Sequence, residues 1–459
     1  MSIPLEPDAA ARSELNSLAE RFVEDWFTRT ANADAAGKPL SDTQIKELMA
    51  PPDEAGRAMD EVLDTLDLAG QPGIIHRSGG HMSYIPNGGL YTAALADMIA
   101  AALNRYTGVA GAAPGMTAIE TGVTDWIASL FDLGESAASI LLSGGSTANL
   151  TGVVAARVNR LGERFDDGVL YVTTHTHHSV AKAARIAGFR NDQIRQVPVD
   201  DELRMRIDVL DEMVKEDREK RLRPFLVVGS AGTTDTGTVD DLLAVSQVAA
   251  DQDLWLHTDA AYGGFFHMTE RGNRTLAGIE NSDSIALDPH KGLSIPFGVG
   301  ALVVRDQNHL IDANHGRGAY LNHEEVHQGL RDISSLGPEL SRPFRGLQVW
   351  LPLHVHGIAV FRDALDDSLD LAGHAFERVS HLDGIRALWK PDLSIVAFGF
   401  DDDDIGREAM ERVNEDRLVH LSSTEVADRF VLRMAILNRR TTVEHVDHAI
   451  DLIEKTLIG

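Results

Sequence analysis

A lysine and an aspartate follow two short apolar segments that the sequence predicts as buried strands. The segment Ser284–Leu287 leads to His290 and Lys291, and the upstream segment Leu254–His257 leads to Asp259. A charged amine or carboxylate buried at an apolar strand end is costly, or it loses its charge, unless it has a partner. Two such groups therefore call for either mutual pairing or a shared ligand.

Both explanations of this pair remain open at this point. In the structural one, Asp259 and Lys291 form a salt bridge with each other. In the catalytic one, the lysine amine forms a Schiff base with an aldehyde cofactor, and the carboxylate keeps a pyridine nitrogen protonated so that the ring accepts electrons. The second explanation predicts pyridoxal 5'-phosphate (PLP) as the cofactor, bound at Lys291.

Other strand ends carry side chains that suit the same cofactor. Gly145, Ser146 and Thr147 follow a predicted strand and begin a helix, where backbone N–H groups and the helix dipole favour phosphate. The alternative is an ordinary strand-to-helix turn. The threonine turn around Thr234 also follows a predicted strand, but by itself it indicates little.

A histidine cluster at 175–178 ends another predicted strand. Clustered imidazoles are one way to bind zinc, but no acidic residue lies beside them and catalytic zinc usually takes three spaced ligands. An imidazole stacked on an aromatic cofactor is the favoured interpretation, because the cluster ends a strand as the other motifs do.

The alternation of strands and helices from residue 138 to 305 predicts an α/β fold with a mostly parallel seven-stranded sheet covered by helices on both faces. Ligands in such sheets bind at the carboxyl ends of the strands. Residues 1–75 are predicted as an N-terminal helical arm, 76–335 as a large cofactor-binding domain, and 336–459 as a small C-terminal α+β domain. In the last of these, the predicted strands are Ser394–Phe400 and Phe430–Ala435, and one helix is predicted from Phe344 to about Leu369.

The composition narrows the class of protein. The 459 residues include 42 Lys and Arg against 70 Asp and Glu, for a formal charge of −28, which argues against non-specific binding to nucleic acid or to anionic membranes. The absence of cysteine excludes disulfides and thiolate chemistry. No apolar signal segment is found at the N-terminus, so a cytoplasmic location is expected.

Taken together, these motifs resemble the PLP-dependent group II amino-acid decarboxylases, whose best-known members act on aromatic amino acids and glutamate. The resemblance covers residues 75 to 455. It is carried by two segments, His257–Gly263 and Asp288–Lys291, with support from residues 95–98, 143–146, 177–180, 231–234 and 430–435. It implies the aspartate-aminotransferase-like fold, known as PLP fold type I, and a homodimer with active sites at the subunit interface.

The resemblance also assigns roles to individual residues. Lys291 is expected to hold PLP, Asp259 to pair with its pyridine nitrogen, and His177, rather than His178, to stack on the ring. The remaining residues expected to contact the cofactor or the substrate side chain are Gly145, Ser146, Thr147 and His290 at the phosphate, Ala261 and Thr234 near the ring, and Tyr84, Pro86 and Asn87 in the substrate pocket.

One departure from the family concerns the loop at about 321–340. Many members carry a tyrosine there that protonates the substrate carbon after CO₂ leaves. The six tyrosines of this chain all precede that loop, the last being Tyr320, so His323 and His327 are the available acids. His323 is the predicted proton donor, although both histidines also fit a solvated loop.

The predicted reaction is decarboxylation of an L-amino acid to its amine and CO₂. Without the loop tyrosine, the decarboxylated intermediate could react with oxygen, so oxidative deamination to an aldehyde is an alternative, as is a lyase or aldolase of the same fold. Tyr84, Asn87 and Phe265 suit an aromatic or bulky apolar substrate, whereas Arg77 and Arg105 leave an acidic substrate open.

Overall fold

The computed structural model describes residues 4–314 and 330–459 and begins with a helical segment. Its elements are α1 (Ala9–Ala31), β1 (Ala36–Gly37), α2 (Asp42–Leu48), α3 (Met59–Gly70) and β2 (Gly73–Ile74). The two short strands pair antiparallel. The guanidinium of Arg77 lies 3.6 Å from the ring centroid of Phe27, which fastens α1 to the chain that follows β2.

A seven-stranded sheet forms the centre of the molecule. Its strands are β3 (Ala138–Leu142), β4 (Gly168–Thr173), β5 (Ile194–Val197), β6 (Arg223–Ser230), β7 (Trp255–Asp259), β8 (Ser284–Leu287) and β9 (Gly300–Val304). The spatial order is β3-β9-β8-β7-β6-β4-β5. Only β9 runs antiparallel to its neighbours, so the predicted mostly parallel sheet is confirmed.

Helices cover both faces of this sheet. They are α4 (Tyr91–Leu103), α5 (Pro114–Ser129), α6 (Gly145–Leu161), α7 (His178–Ile186), α8 (Ile207–Glu219), α9 (Leu242–Asp251), α10 (Glu270–Thr275), α11 (Pro289–Gly292) and α12 (Asn308–Ala313). Along β8, Ile285 and Leu287 pack in one hydrophobic core with Ile127 of α5, whereas Ala286 packs in another core with Ala148 of α6. A strand buried on both faces reads as a continuous apolar run, which explains why the sequence revealed it.

The C-terminal part contains a second sheet. Its elements are α13 (Gly346–His356), α14 (Ile358–Ser380), β10 (Ile385–Leu388), β11 (Ile395–Phe400), α15 (Asp403–Asp416), β12 (Ser422–Val426), β13 (Arg429–Ala435) and α16 (Val443–Ile458). The sheet is antiparallel, in the order β10-β11-β13-β12. This agrees with the predicted small α+β unit.

Two predictions about this part were wrong in detail. The sheet has four strands rather than two. The two edge strands were missed because β10 is short, and β12 consists mostly of polar residues with one face exposed to solvent. The single helix predicted from Phe344 is two helices, α13 and α14, which are separated at Gly357, where φ is +79°. The domain boundaries at 75 and 335 stay a prediction.

A search of residues 4–314 and 330–459 for membrane-spanning segments found no helix with the length and apolar character required to cross a bilayer.

Candidate active site

The candidate site lies at one edge of the seven-stranded sheet, where five strands end. Strands β4, β6, β7 and β8 are parallel, and β3 runs in the same direction because β3 and β8 are both antiparallel to β9. The segments that follow these five strands surround a cavity of about 370 Å³. This is the position at which α/β sheets of this kind bind ligands.

Every residue predicted to contact the cofactor lines this cavity. They are Gly145, Ser146, Thr147, His177, Thr234, Asp259, Ala261, His290 and Lys291. They come from segments that are far apart in the sequence, and the common direction of the strands brings them together.

The ammonium group of Lys291 is paired with Asp288 and not with Asp259. Lys291 Nζ lies 2.9 Å from Asp288 Oδ2, and the side chain of Asp288 is only 3% exposed. The two residues lie one turn apart across α11. The structural alternative, a salt bridge between Asp259 and Lys291, is therefore wrong, and Asp259 remains available for another positively charged group. The second oxygen of Asp288, Oδ1, is buried and accepts no hydrogen bond from the part of the chain that the structure describes.

Asp259 is held as a hydrogen-bond acceptor at the end of β7. Its Oδ2 accepts from Asn149 Nδ2 at 2.9 Å, and its Oδ1 accepts from the backbone N–H of Ala261 at 3.2 Å. The residue is nearly buried, at 7% exposure. A carboxylate that accepts two hydrogen bonds and has no paired cation among the described residues is suited to a protonated ring nitrogen.

The two adjacent histidines that follow β4 differ in position. His177 precedes α7 and lines the cavity, whereas His178 is exposed. Ser179 Oγ lies 2.7 Å from His177 Nδ1, and the backbone N–H of Ser179 donates to the same nitrogen at 3.4 Å. Burial lowers the pKa of His177, with a smaller opposing effect from the charge of Asp259. Within the part of the chain that the structure describes, no group of three His, Asp or Glu side chains is arranged to hold a metal ion.

The start of α6 forms an anion cradle. Among the described residues no side chain caps this helix, and the N–H of Thr147 already donates to the carbonyl of Gly144, so the N–H groups of Gly145 and Ser146 are left for a ligand. A Cβ atom added to Gly145 would lie 2.8 Å from Asp288 Oδ2 and 3.1 Å from Ala261 Cβ, so only glycine leaves this space open. His290 donates from Nδ1 to the carbonyl of Val299 at 2.7 Å. Its other ring nitrogen, Nε2, takes no part in that hydrogen bond and can contact a ligand. These groups fit the phosphate of PLP.

The residues predicted for the substrate pocket do not line this cavity. The amide nitrogen of Asn87 donates to Ser294 Oγ at 2.9 Å and to the carbonyl of Leu437 at 3.2 Å, so it serves the packing of its loop. Tyr84 is half exposed, and Phe265 is fully buried in the core. The roles of Tyr84, Pro86 and Asn87 stay predictions. His323 lies outside the described residues.

Sequence reasoning missed three residues that contact the predicted ones: Asn149, Ser179 and Asp288. A signal existed for Asp288, because it stands three residues before Lys291 and so lies on the same face of a helical turn. For Asn149 no distinguishing signal existed in the sequence, because α6 also carries other polar residues such as Thr151 and Asn159.

Comparison with known proteins gives a consistent result. Residues 44–400 match the pyridoxal-dependent decarboxylase conserved domain. The chain is 32% identical to an aromatic-L-amino-acid decarboxylase of Bacillus atrophaeus, over 97% of this chain and 95% of that protein. It is 27% identical to a 4-hydroxyphenylacetaldehyde synthase of Rhodiola rosea, over 88% and 87% of the two chains.

A solved structure shares the fold over the whole length. The crystal structure of Oryza sativa TDC with PLP and tryptamine has a TM-score of 0.92 and 27% identity, and it covers 100% of this chain and 99% of that chain. The family match spans most of the chain, and the groups at the strand ends fit the cofactor of that family. The chain therefore belongs to the pyridoxal-dependent decarboxylases, and it is a PLP-dependent amino-acid decarboxylase with PLP fold type I.

Proposed function

We propose that this decarboxylase acts on aromatic L-amino acids and releases the corresponding amine and CO₂. The observation that carries the proposal is the charge of the cavity: among the described residues, Lys291 is the only lysine that lines it, and no arginine does. A substrate with a second carboxylate would need a cation to pair with it, since an unpaired charge in such a site is costly. A neutral side chain needs none.

Arg77 and Arg105, the two arginines considered as partners for an acidic substrate, form contacts outside the cavity. Arg77 stacks on Phe27 and donates to the carbonyl of Gly89 at 3.1 Å. Arg105 donates to the carbonyl of Ala112 at 3.0 Å. Neither lines the cavity, which supports a substrate without a distal carboxylate.

The cavity also offers an aromatic surface. Phe297 lines it although its side chain is 58% exposed, and its ring lies 5.9 Å from that of His290. An exposed aromatic ring at a cavity is suited to contact with another ring. Relatives of this chain that are named as aromatic-L-amino-acid and tryptophan decarboxylases support the same substrate class.

Several polar groups of the site have a proposed part in this reaction. PLP, when bound, accepts the electron pair that the departing carboxylate leaves on the α-carbon. Asp259 would pair with the ring nitrogen of bound PLP, His177 would stack on the ring, and the start of α6 would hold the phosphate. Asp288 Oδ2, 2.9 Å from Lys291 Nζ, orients the side-chain nitrogen of the lysine. His323 is the proposed acid that returns a proton to the α-carbon.

Further parts of the proposal concern the assembly. The enzyme acts as a homodimer in the cytoplasm, with the active site at the subunit interface and the substrate side chain near Tyr84, Pro86 and Asn87. The chain is divided into an arm at 1–75, a large domain at 76–335 and a small domain at 336–459. Sedimentation of the holoenzyme measures the dimer directly.

A substrate panel tests the proposal. Purified protein with PLP is given L-tryptophan, L-tyrosine, L-phenylalanine and L-glutamate, and CO₂, amine, aldehyde and peroxide are measured. We expect amine and CO₂ from the aromatic substrates and none from glutamate. Turnover of glutamate in preference to the aromatic substrates refutes the substrate class. Lys291→Ala is the control, and it is expected to abolish both the visible band of bound PLP and turnover.

Oxidative deamination is the second candidate, because no tyrosine lies in the 321–340 loop and one relative is a 4-hydroxyphenylacetaldehyde synthase. In that case the aromatic substrates yield aldehyde and peroxide with uptake of oxygen. Equal amounts of amine and CO₂ without oxygen uptake eliminate this candidate. Separate His323→Gln and His327→Gln variants then test the proton donor, and unchanged turnover in His323→Gln removes that residue from the mechanism.

A further inference from the structure

A chain of buried hydrogen bonds runs beneath the site and ends at Asp259. Trp255 Nε1 lies 2.8 Å from Ser284 Oγ, which lies 2.8 Å from His257 Nδ1. His257 Nε2 lies 2.9 Å from Asn149 Oδ1, and Asn149 Nδ2 lies 2.9 Å from Asp259 Oδ2. The first four of these residues are at most 1% exposed. Of these five residues, Asn149 and Asp259 line the cavity, and the other three lie beneath it.

The direction of these hydrogen bonds is fixed from both ends. A carboxylate only accepts, so the amide nitrogen of Asn149 donates to Asp259 and its carbonyl oxygen accepts from His257 Nε2. Burial lowers the pKa of His257 to about 4, so at neutral pH the ring carries one proton, and that proton is on Nε2. His257 Nδ1 then accepts from the hydroxyl of Ser284, which itself accepts from the indole N–H of Trp255.

Asn149 also has a second branch. Its amide nitrogen donates to Ser179 Oγ at 2.9 Å, so the hydroxyl hydrogen of Ser179 is directed to His177 Nδ1, 2.7 Å away. With Nδ1 accepting, the single proton of neutral His177 is on Nε2. One amide group therefore orients both the acid and the imidazole that line the cofactor cavity.

The packing of α6 is adapted to this arrangement. Gly152 lies one turn after Asn149, and a Cβ atom added to it would lie 2.8 Å from His257 Cε1 and 2.9 Å from Nδ1. A larger residue at 152 would therefore displace the imidazole from Asn149. The close approach of His257 to the helix is an observation independent of the hydrogen bonds.

We propose that Asn149 is a positioning residue that fixes the carboxylate of Asp259 and the Nε2-protonated form of His177 at the same time, and that His257 holds Asn149 in place. This inference rests on the proposed roles of Asp259 and His177 at the PLP ring. A network with a purely structural role would stabilise the fold and leave the properties of bound PLP unchanged.

The test compares two asparagines on the same helix. In Asn149→Ala the two donors are lost. In the control Asn159→Ala, the lost amide bonds only the carbonyls of Ala155 and His309, away from the cavity. Apoenzyme is titrated with PLP, and the visible absorbance and circular dichroism of bound PLP are recorded across pH, together with the thermal midpoint.

For Asn149→Ala we expect the dissociation constant of PLP to rise about 10- to 100-fold, because a hydrogen bond to a charged group is lost. The circular dichroism of the bound cofactor is expected to weaken, whereas Asn159→Ala keeps the wild-type values. Asn149→Asp places two carboxylates together, which cannot both ionise freely, so the pH dependence of PLP binding is expected to shift.

Wild-type PLP affinity, absorbance and dichroism in Asn149→Ala would overturn the proposal, whatever the thermal midpoint. If that variant does not fold, the PLP affinities of His257→Leu and His257→Gln are compared instead. Glutamine retains a donor and is expected to keep near-wild-type PLP affinity, whereas leucine is expected to weaken it; equal affinities in the two variants contradict the proposal. A wild-type protein that shows no visible band with PLP refutes the proposed cofactor roles themselves, so the two failures are distinguishable.

Discussion

The narrow space at Gly145 leads to a quantitative prediction for Gly145→Ala. The added methyl group would lie 2.8 Å from Asp288 Oδ2, well inside the 3.4 Å at which ordinary contact begins. Asp288 cannot move away freely, because it is buried and paired with Lys291. Overpacking of this kind costs about 1–3 kcal/mol of folding stability. Where the strain is relieved by a shift of the start of α6 away from the position that suits the phosphate, the same amount corresponds to a loss of PLP affinity of about 5- to 150-fold.

The matched control is Gly373→Ala in α14. Apart from its chain neighbours and the backbone of the same helix, no atom of the described residues lies within 4 Å of the added methyl group at that position. Replacing glycine by alanine inside a helix is expected to stabilise the protein by about 0.5–1 kcal/mol. PLP affinity should be unchanged.

Titration of the two apoenzymes with PLP, followed by visible absorbance, measures the effect. The thermal midpoint of each apoenzyme shows whether the fold is intact. Gly145→Ala should retain its apoenzyme midpoint within a few degrees and bind PLP weakly. If Gly145→Ala and Gly373→Ala bind PLP equally well, the start of α6 is not the phosphate cradle.

Three further predictions concern stability, pH and substrate contact. Glu120 pairs with Arg342 at 2.5 Å, and both side chains are 1% exposed, so Glu120→Gln should lower the free energy of unfolding, measured by urea denaturation, by about 3–5 kcal/mol. The control Glu270→Gln removes one partner of an exposed pair and should lower that free energy by less than about 1 kcal/mol. Equal losses in the two variants would contradict the role of burial. The pKa of His257, about 4 in the folded protein against 6.5 ordinarily, means that unfolding takes up a proton at acid pH. Stability should therefore fall by up to about 3 kcal/mol between pH 6.5 and 4, and less steeply in His257→Gln; parallel curves would refute this. Phe297→Ala should raise the KM for an aromatic substrate about 2- to 10-fold, because contact between the two rings is lost. The thermal midpoint should change little, because the ring is largely exposed. An unchanged KM would remove Phe297 from the substrate site.

The central sheet was predictable because most of its strands are buried along their length; the exceptions are the edge strand β5 and the first two residues of β6. Strands such as Gly300–Val304 are short apolar runs bounded by glycine, proline or polar residues, and burial on both faces requires that composition. The edge strand Ser422–Val426 carries no such signal, because one of its faces meets solvent. The break between α13 and α14 depends on a single glycine, which the helical pattern on either side obscured.

The residue types at the strand ends identified the cofactor, but not the partners within the site. Lys291 and Asp259 were recognisable from their positions after apolar strands, and parallel strands necessarily place such residues at one edge. Their hydrogen-bond partners are set by packing distances. Asp259 Oδ2 accepts its hydrogen bond from Asn149, 110 positions earlier in the chain.

The sequence by itself therefore determined the α/β fold class, through hydrophobic periodicity, and the cofactor, through side-chain chemistry at strand ends. The individual residues expected to contact the cofactor stay a prediction. Only the tertiary structure decided that Asp288, and not Asp259, pairs with Lys291, and that Asn149 joins Asp259 to His177. The physical reason is that a hydrogen bond requires two atoms to lie within about 3 Å of each other, and such distances arise only when α6, β7 and β8 pack together.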